Sequence, residues 1–166
     1  MRTILVTGGG GYIGRYVVRQ LLNFPDRYKL VLLHRGNNTE GLPLDERVRV
    51  VQVDITNFTP EDIQNLGKID ICIHLAWDDG FVHNSINHFL NLSSHFNFLV
   101  SLINSGTHHL CVSGSFREYG KVNGLVDQSK VVVPDTLYSL SKLSLFHALR
   151  IYCEKLPVCL QWVRPF

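Results

Sequence analysis

The chain opens on a short apolar run that ends in clustered glycines, Thr3-Ile4-Leu5-Val6-Thr7-Gly8-Gly9-Gly10-Gly11-Tyr12-Ile13-Gly14. A strand, a tight turn and a helix start in that order leave few folds open. Gly8 allows a sharp turn off the strand, Gly11 leaves space where an anion approaches, and Gly14 lets the next helix lie close to the sheet. The helix beginning near Tyr12 then directs unpaired backbone N–H groups and its positive dipole end at whatever sits on the turn. A diphosphate suits that seat. A P-loop is the competing reading, because Gly9 and Gly14 have the right separation. It fails at Arg15 and Tyr16, which stand where lysine and Ser/Thr are needed. Val17, Val18, Leu21 and Leu22 continue at helical spacing, so a dinucleotide site is expected over 7–14.

Length and composition narrow the class further. The 166 residues suit one domain, expected over 1–166, with a core of its own. A formal charge of +2 with 18% charged residues gives no electrostatic footprint for a nucleic-acid partner. No apolar stretch reaches the length of a membrane span, and the N-terminus enters a strand without a signal-peptide pattern, so the cytoplasm is the expected location. Cysteines 72, 111, 153 and 159 form no CxxC pair and read as small core residues in a reducing compartment. Histidines 83, 88, 95, 108 and 109 lack ligand spacing, so no metal site is expected.

Apolar runs at 3–7, 29–34, 48–53, 69–75, 108–113 and 158–163 are short and rich in Val, Ile and Leu, as expected of strands covered on both faces. Helical patterns lie between them at 12–23, 60–66, 84–105 and 137–155. Thr59 before Pro60, with Glu61 and Asp62 following, marks a capped helix start. Strands alternating with helices predict right-handed crossovers and a doubly wound parallel α/β sheet, a Rossmann fold. The stretch 114–136 carries Gly114, Gly120, Gly124 and Pro134 with little periodicity. It reads as an active-site loop leaving the carboxyl end of the fifth strand.

Tyr138 and Lys142 stand four residues apart at the start of the last helical pattern, which places them on one face. An ammonium beside a phenol favours the phenolate, so the pair is expected to lower the tyrosine pKa towards a range useful for proton transfer.

Taken together, Thr-Gly-Gly-x-Gly-x-x-Gly at 7–14, Asp54-Ile55, His74-Leu75-Ala76, Ser113-Gly114-Ser115-x-x-x-Tyr119-Gly120 and Tyr138-x-x-x-Lys142 resemble the extended short-chain dehydrogenase/reductase family. The similarity is greatest to its NAD-dependent epimerase/dehydratase branch, which acts on nucleotide sugars. The resemblance implies that Tyr138 is the acid/base for a sugar hydroxyl or ketone. Lys142 would bind the nicotinamide ribose and tune Tyr138, and Ser115 would donate a hydrogen bond to the substrate oxygen. Ser113 is its neighbour on the cofactor side, read as a strand-end hydroxyl bonded locally. Thr7, Tyr12 and Ile13 complete the glycine turn. Asp54 and Ile55 would contact adenine, Ala76 would line the cofactor channel with Leu75 and Trp77 beside it, and Asn91 matches a helix asparagine that orders the active site.

The second strand ends Leu32-Leu33-His34-Arg35, with no acidic residue until Glu40, where NAD-preferring relatives carry a carboxylate. Arg35 suits a 2′-phosphate, which favours NADP over NAD. Trp77 and Glu118 resemble a subgroup of sugar 4-ketoreductases and epimerases in surface-polysaccharide pathways. The resemblance also implies a homodimer through the family's fourth and fifth helices, here 84–105 and 137–155. Phe89, Leu92, Phe96, Leu99 and Leu145 suit either that surface or the chain's own core. The chain stops at Arg164-Pro165-Phe166, where the resemblance implies a further substrate-binding lobe, which is expected to be missing. Two functions stay open: an NAD(P)-dependent oxidoreductase or epimerase of nucleotide-activated sugars, and a non-catalytic domain that only binds the dinucleotide.

Overall fold

The structure, a computed structural model, describes residues 1–36, 41–43 and 45–166. Glu40 lies outside the described residues. Six strands form one parallel sheet: β1 (Arg2–Thr7), β2 (Tyr28–His34), β3 (Val48–Gln52), β4 (Ile71–His74), β5 (His109–Ser113) and β6 (Cys159–Val163), in the order β3-β2-β1-β4-β5-β6. The helices are α1 (Tyr12–Leu22), α2 (Pro60–Leu66), α3 (Asn87–Leu90), α4 (Leu92–Asn104) and α5 (Leu137–Cys153), with 3₁₀ turns at Ile55–Asn57 and Phe116–Tyr119. No helix among the described residues is long and apolar enough to cross a membrane.

The period-2 alternation of strands sorts the core into two layers. Leu5, Val31 and Leu33 face one side, where Ile63 and Leu66 of α2, Phe98, Leu99 and Leu102 of α4, and Leu145 and Leu149 of α5 pack on them. Ile4, Val6, Leu30 and Leu32 face the other side, against Val18, Leu21 and Leu22 of α1. This is the doubly wound Rossmann arrangement. The two edge strands depart from the expected two-sided cover: β3 and β6 carry only partly buried and exposed residues, because each pairs with a neighbour on one side only.

The helix expected over 84–105 is interrupted. Asp79 takes a left-handed backbone (φ 55°) and its carboxylate accepts from Ser85 Oγ at 2.6 Å and Asn87 Nδ2 at 2.8 Å, which holds 79–86 in turns. A helix starts only at Asn87, and Asn91 then separates α3 from α4. Of the apolar residues considered for a subunit interface, Leu99 and Leu145 are fully buried core, and Leu92 and Phe96 pack against that core. Phe89 remains 46% exposed, beside the exposed Ile86 and Leu90.

Candidate active site

Strand order reverses direction from β1, with β2 on one side and β4 on the other, so a crevice opens at the carboxyl ends of the strands. A cavity of about 580 Å³ fills it. Gly8, Gly10 and Gly11 line it after β1, and Leu33, His34, Arg35 and Gly36 at the end of β2. Val53, Asp54, Ile55 and Thr56 follow β3, and Ala76, Trp77 and Asp78 follow β4, with His95 reaching in from α4. Volume and lining suit an organic ligand of cofactor size.

The turn is built by glycine where the backbone demands it. Gly8 has φ +70°, and a Cβ there would sit 2.8 Å from Ala76 N. A Cβ on Gly14 would meet Gly8 O and come within 2.7 Å of Gly9 Cα, so α1 approaches the turn backbone to backbone. The N-terminus of α1 also differs from those of α2 and α5. Thr59 caps α2 and Thr136 caps α5 through capping boxes, whereas Gly11 leaves α1 without a side-chain cap and no acidic residue stands in its first turn. The first-turn N–H groups, Tyr12 and Ile13 among them, are therefore available to an anion. The Tyr12 and Ile13 side chains themselves point outward, 74% and 43% exposed.

A second group gathers at the end of β5. Ser115 is buried and starts the 3₁₀ turn Phe116–Tyr119. Its backbone N–H donates to Glu118 Oε1 at 2.9 Å. Glu118 is fully buried and also accepts from Trp162 Nε1 at 3.1 Å and Arg164 Nε at 2.6 Å. Tyr138 is fixed from the backbone, its N–H donating to His83 O at 2.9 Å, while Leu137 N–H donates to Asn84 Oδ1. Lys142 is 98% buried by side-chain and backbone together (2% exposed), its Nζ donating to Ser113 O at 2.7 Å and lying 4.0 Å from the Trp77 ring centroid. Trp77 joins the two regions: it lines the cavity, and its ring meets the Tyr138 ring edge-on at 6.3 Å.

The electrostatics correct one expectation. The Tyr138 phenol is pushed above its ordinary value by burial, against the lowering effect of the neighbouring Ser115 hydroxyl, while the Glu118 charge adds to the rise. The Lys142 ammonium is turned to Ser113 O and Trp77, 6.0 Å from the Tyr138 ring centroid, and burial drops its own pKa to about 7.

The other expected cofactor residues have distinct surroundings. The Thr7 hydroxyl faces His74 Nδ1 at 2.9 Å and accepts from Ala76 N at 3.2 Å. Leu75 packs into the α1-side core. Ser113 Oγ donates to Gly114 O at 3.2 Å, while its carbonyl holds Lys142. Asn91 forms the junction of α3 and α4 and lies outside the residues lining the cavity. Asp54 accepts from Thr56 N at 2.9 Å and lines the cavity with Ile55. Arg35 lines it too, but its guanidinium pairs with Asp78 at 2.8 Å.

The histidines form a system that sequence reading missed. His74 Nε2 lies 3.0 Å from His95 Nδ1, and the His95 ring stacks on Trp77 at 4.5 Å. Trp77 Nε1 donates to His88 Nδ1 at 3.0 Å, which leaves His88 Nε2–H to donate to Val82 O. The available signal was phase: His95 shares a helical stripe with Phe98, Leu99 and Leu102. Burial carries the His74 pKa well below its ordinary value, and carries that of His95 to about 3. An unfolded chain therefore binds more protons below 6.5, and folding stability falls as pH drops from there towards 3. The slope is up to about 1.4 kcal/mol per pH unit for each histidine. Urea midpoints at pH 7.5 and 5 check this: the wild type is expected to lose stability at pH 5, and His74→Asn to lose less. Equal midpoints would contradict it.

Comparisons with known proteins place the chain in a family and match its fold. The sequence pattern of the NAD dependent epimerase/dehydratase family matches residues 4–166. The chain is 31% identical over 163 residues to dTDP-6-deoxy-L-talose 4-dehydrogenase (NAD(+)) of Aggregatibacter actinomycetemcomitans, covering 97% of this chain and 59% of that protein. Among solved structures, a double mutant of dTDP-glucose 4,6-dehydratase from Streptomyces venezuelae with NAD bound is 26% identical. It superposes with a TM-score of 0.83 over 99% of this chain and 55% of its own. A UDP-glucose 4-epimerase, 19% identical, shares the fold with a TM-score of 0.85 over 99% and 51%. The chain thus spans little more than half the length of the relatives it matches.

Proposed function

The chain belongs to the NAD-dependent epimerase/dehydratase family, and we propose from that premise that it binds a nicotinamide dinucleotide and supports hydride transfer at C4 of a nucleotide-activated sugar. The observation that carries this reading is the uncapped N-terminus of α1 facing the crevice cavity, with Tyr138, Ser115 and Lys142 gathered one strand end away. The residues present fit such a ligand. Gly11 leaves the approach to the α1 amides open, and Gly8, Asp54, Ile55 and Ala76 line the space around it. A bound coenzyme would supply the hydride or accept it.

The chain's own residues handle the oxygen and the proton. Ser115 and Tyr138 are neighbours and offer two hydroxyls to one substrate oxygen. With its pKa raised, Tyr138 rests as the neutral phenol and is set to give a proton to an oxygen that gains charge as a ketone is reduced. In the reverse direction it must first lose that proton, which Lys142 aids only after leaving Ser113 O. The relative that acts as a 4-dehydrogenase supports C4 as the reacting carbon.

Arg35 is the group that would recognise a 2′-phosphate, in competition with Asp78. If it does, NADPH binds more tightly than NADH and Arg35→Ala removes the difference. Equal affinities would remove that role from Arg35. A second reading, binding without turnover, is favoured by the resting position of Lys142 away from the phenol.

Mixing the chain with reduced coenzyme and a dTDP-4-keto-6-deoxysugar separates the two. Loss of nicotinamide absorbance is expected, and Tyr138→Phe should slow it by about 100-fold or more. Coenzyme binding with no oxidation would favour the second reading, and oxidation at an unchanged rate in Tyr138→Phe would remove the role given to that residue.

A further inference from the structure

His95 is 97% buried, yet it lines the dinucleotide cavity. Its Nδ1 is taken by His74 Nε2 at 3.0 Å, and its Nε2 has no partner among the described residues. Which nitrogen carries the proton follows from hydrogen-bond accounting. Thr7 is fully buried, and its Oγ1 already accepts from the Ala76 N–H at 3.2 Å. The hydroxyl proton needs an acceptor of its own, and the one within reach among the described residues is His74 Nδ1 at 2.9 Å. Placing the ring proton on Nδ1 instead would strand the hydroxyl proton in the core, at a cost of about 1–3 kcal/mol.

His74 is therefore protonated on Nε2 and donates to His95 Nδ1. His95 is in turn protonated on Nε2, the atom left for the cavity. Burial keeps both rings neutral at ordinary pH. Trp77 stacked on His95 at 4.5 Å, and His74 set edge-on to it at 5.2 Å, fix the ring plane.

We propose that His95 is a dinucleotide-binding residue whose Nε2–H donates to an acceptor in the adenosine diphosphate part of the coenzyme, held in that tautomer by a relay from the Ala76 amide through Thr7 and His74. The proposal rests on the dinucleotide reading above. It adds a donor that carries no charge, complementing the α1 amides, and one whose orientation is set before the ligand arrives. The acceptor is a diphosphate oxygen, a ribose oxygen or a purine ring nitrogen.

Nitrogen-15 NMR of histidine-labelled chain, without coenzyme, reads the tautomer directly. His95 is expected with its proton on Nε2, and a proton on Nδ1 overturns the relay. Calorimetry with NADH then compares wild type, His95→Asn and His95→Gln. Asparagine places an oxygen where Nδ1 was and still accepts from His74, but offers nothing at the Nε2 position, so affinity should fall about 10-fold. Glutamine carries its amide out to that position and should stay within about 3-fold. ADP and adenosine locate the acceptor: loss with ADP alone places it on the diphosphate, and loss with both places it on adenosine. Wild-type affinity in His95→Asn overturns the proposal while leaving the dinucleotide site intact. No heat with wild-type chain and NADH overturns the dinucleotide reading, and this proposal with it.

Discussion

Gly14→Ala is expected to lose about 3 kcal/mol of folding stability and all measurable coenzyme binding, because the added carbon has nowhere to go. It would meet Gly8 O and lie within 2.7 Å of Gly9 Cα and 2.9 Å of Gly8 C. All three are backbone atoms of one tight turn, so no side-chain rotation relieves the clash, and α1 must move off β1. Neighbouring glycines give the contrast. At Gly9 the nearest atom to an added Cβ is Leu32 Cδ2 at 3.3 Å, a side-chain end that can yield, so Gly9→Ala should cost under about 1 kcal/mol. At Gly11 the backbone is ordinary (φ −71°), and the added carbon meets only Gly8 O at 3.1 Å. Gly11→Ala should therefore fold nearly as well as wild type and still weaken binding, since its methyl points into the approach to the α1 amides. Urea denaturation and coenzyme titration on the three variants check this. Equal stability loss at all three positions would show that the turn is not packed as described.

Removing the Glu118 carboxylate should have a comparable effect from the other end of the sheet. Glu118→Ala leaves the part-buried guanidinium of Arg164, the indole N–H of Trp162 and the backbone N–H of Ser115 without the carboxylate to which each donates. Leaving these donors without an acceptor costs about 2–3 kcal/mol. Glu118→Gln retains one acceptor oxygen and should cost about 1–2 kcal/mol. Function should suffer more than stability in the glutamine variant, because Ser115 is oriented by the same carboxylate through its N–H. The expected sign is a lower kcat with little change in coenzyme affinity. Wild-type thermal stability in Glu118→Ala would contradict the role of this brace.

The fold was largely legible in the sequence because its determinants are local. Each strand was marked by an apolar run, α1 by the glycine turn before it, and α2 by Thr59 and Pro60, whose capping box is present. The interruption before α4 was not legible. The amphipathic pattern of 84–105 continues through it, and the turn is imposed by the Asp79 carboxylate binding Ser85 and Asn87. The same distinction holds in the site. The Tyr138–Lys142 pair follows from spacing within one helix, and Ser115 from the resemblance carried by the loop at 113–120. The Glu118–Arg164 brace joins residues 46 apart, and His74–His95 residues 21 apart, so neither leaves a periodic trace. The Arg35–Asp78 pair, 43 apart, changes what Arg35 is free to do.

Calorimetric titration of the chain with NADH and NADPH, beside Gly11→Val as a control, tests the central claim most directly. The α1 amides and the crevice cavity predict saturable one-to-one binding of at least one coenzyme, abolished by Gly11→Val without loss of fold. Absence of heat with both coenzymes, or equal binding by Gly11→Val, would contradict it.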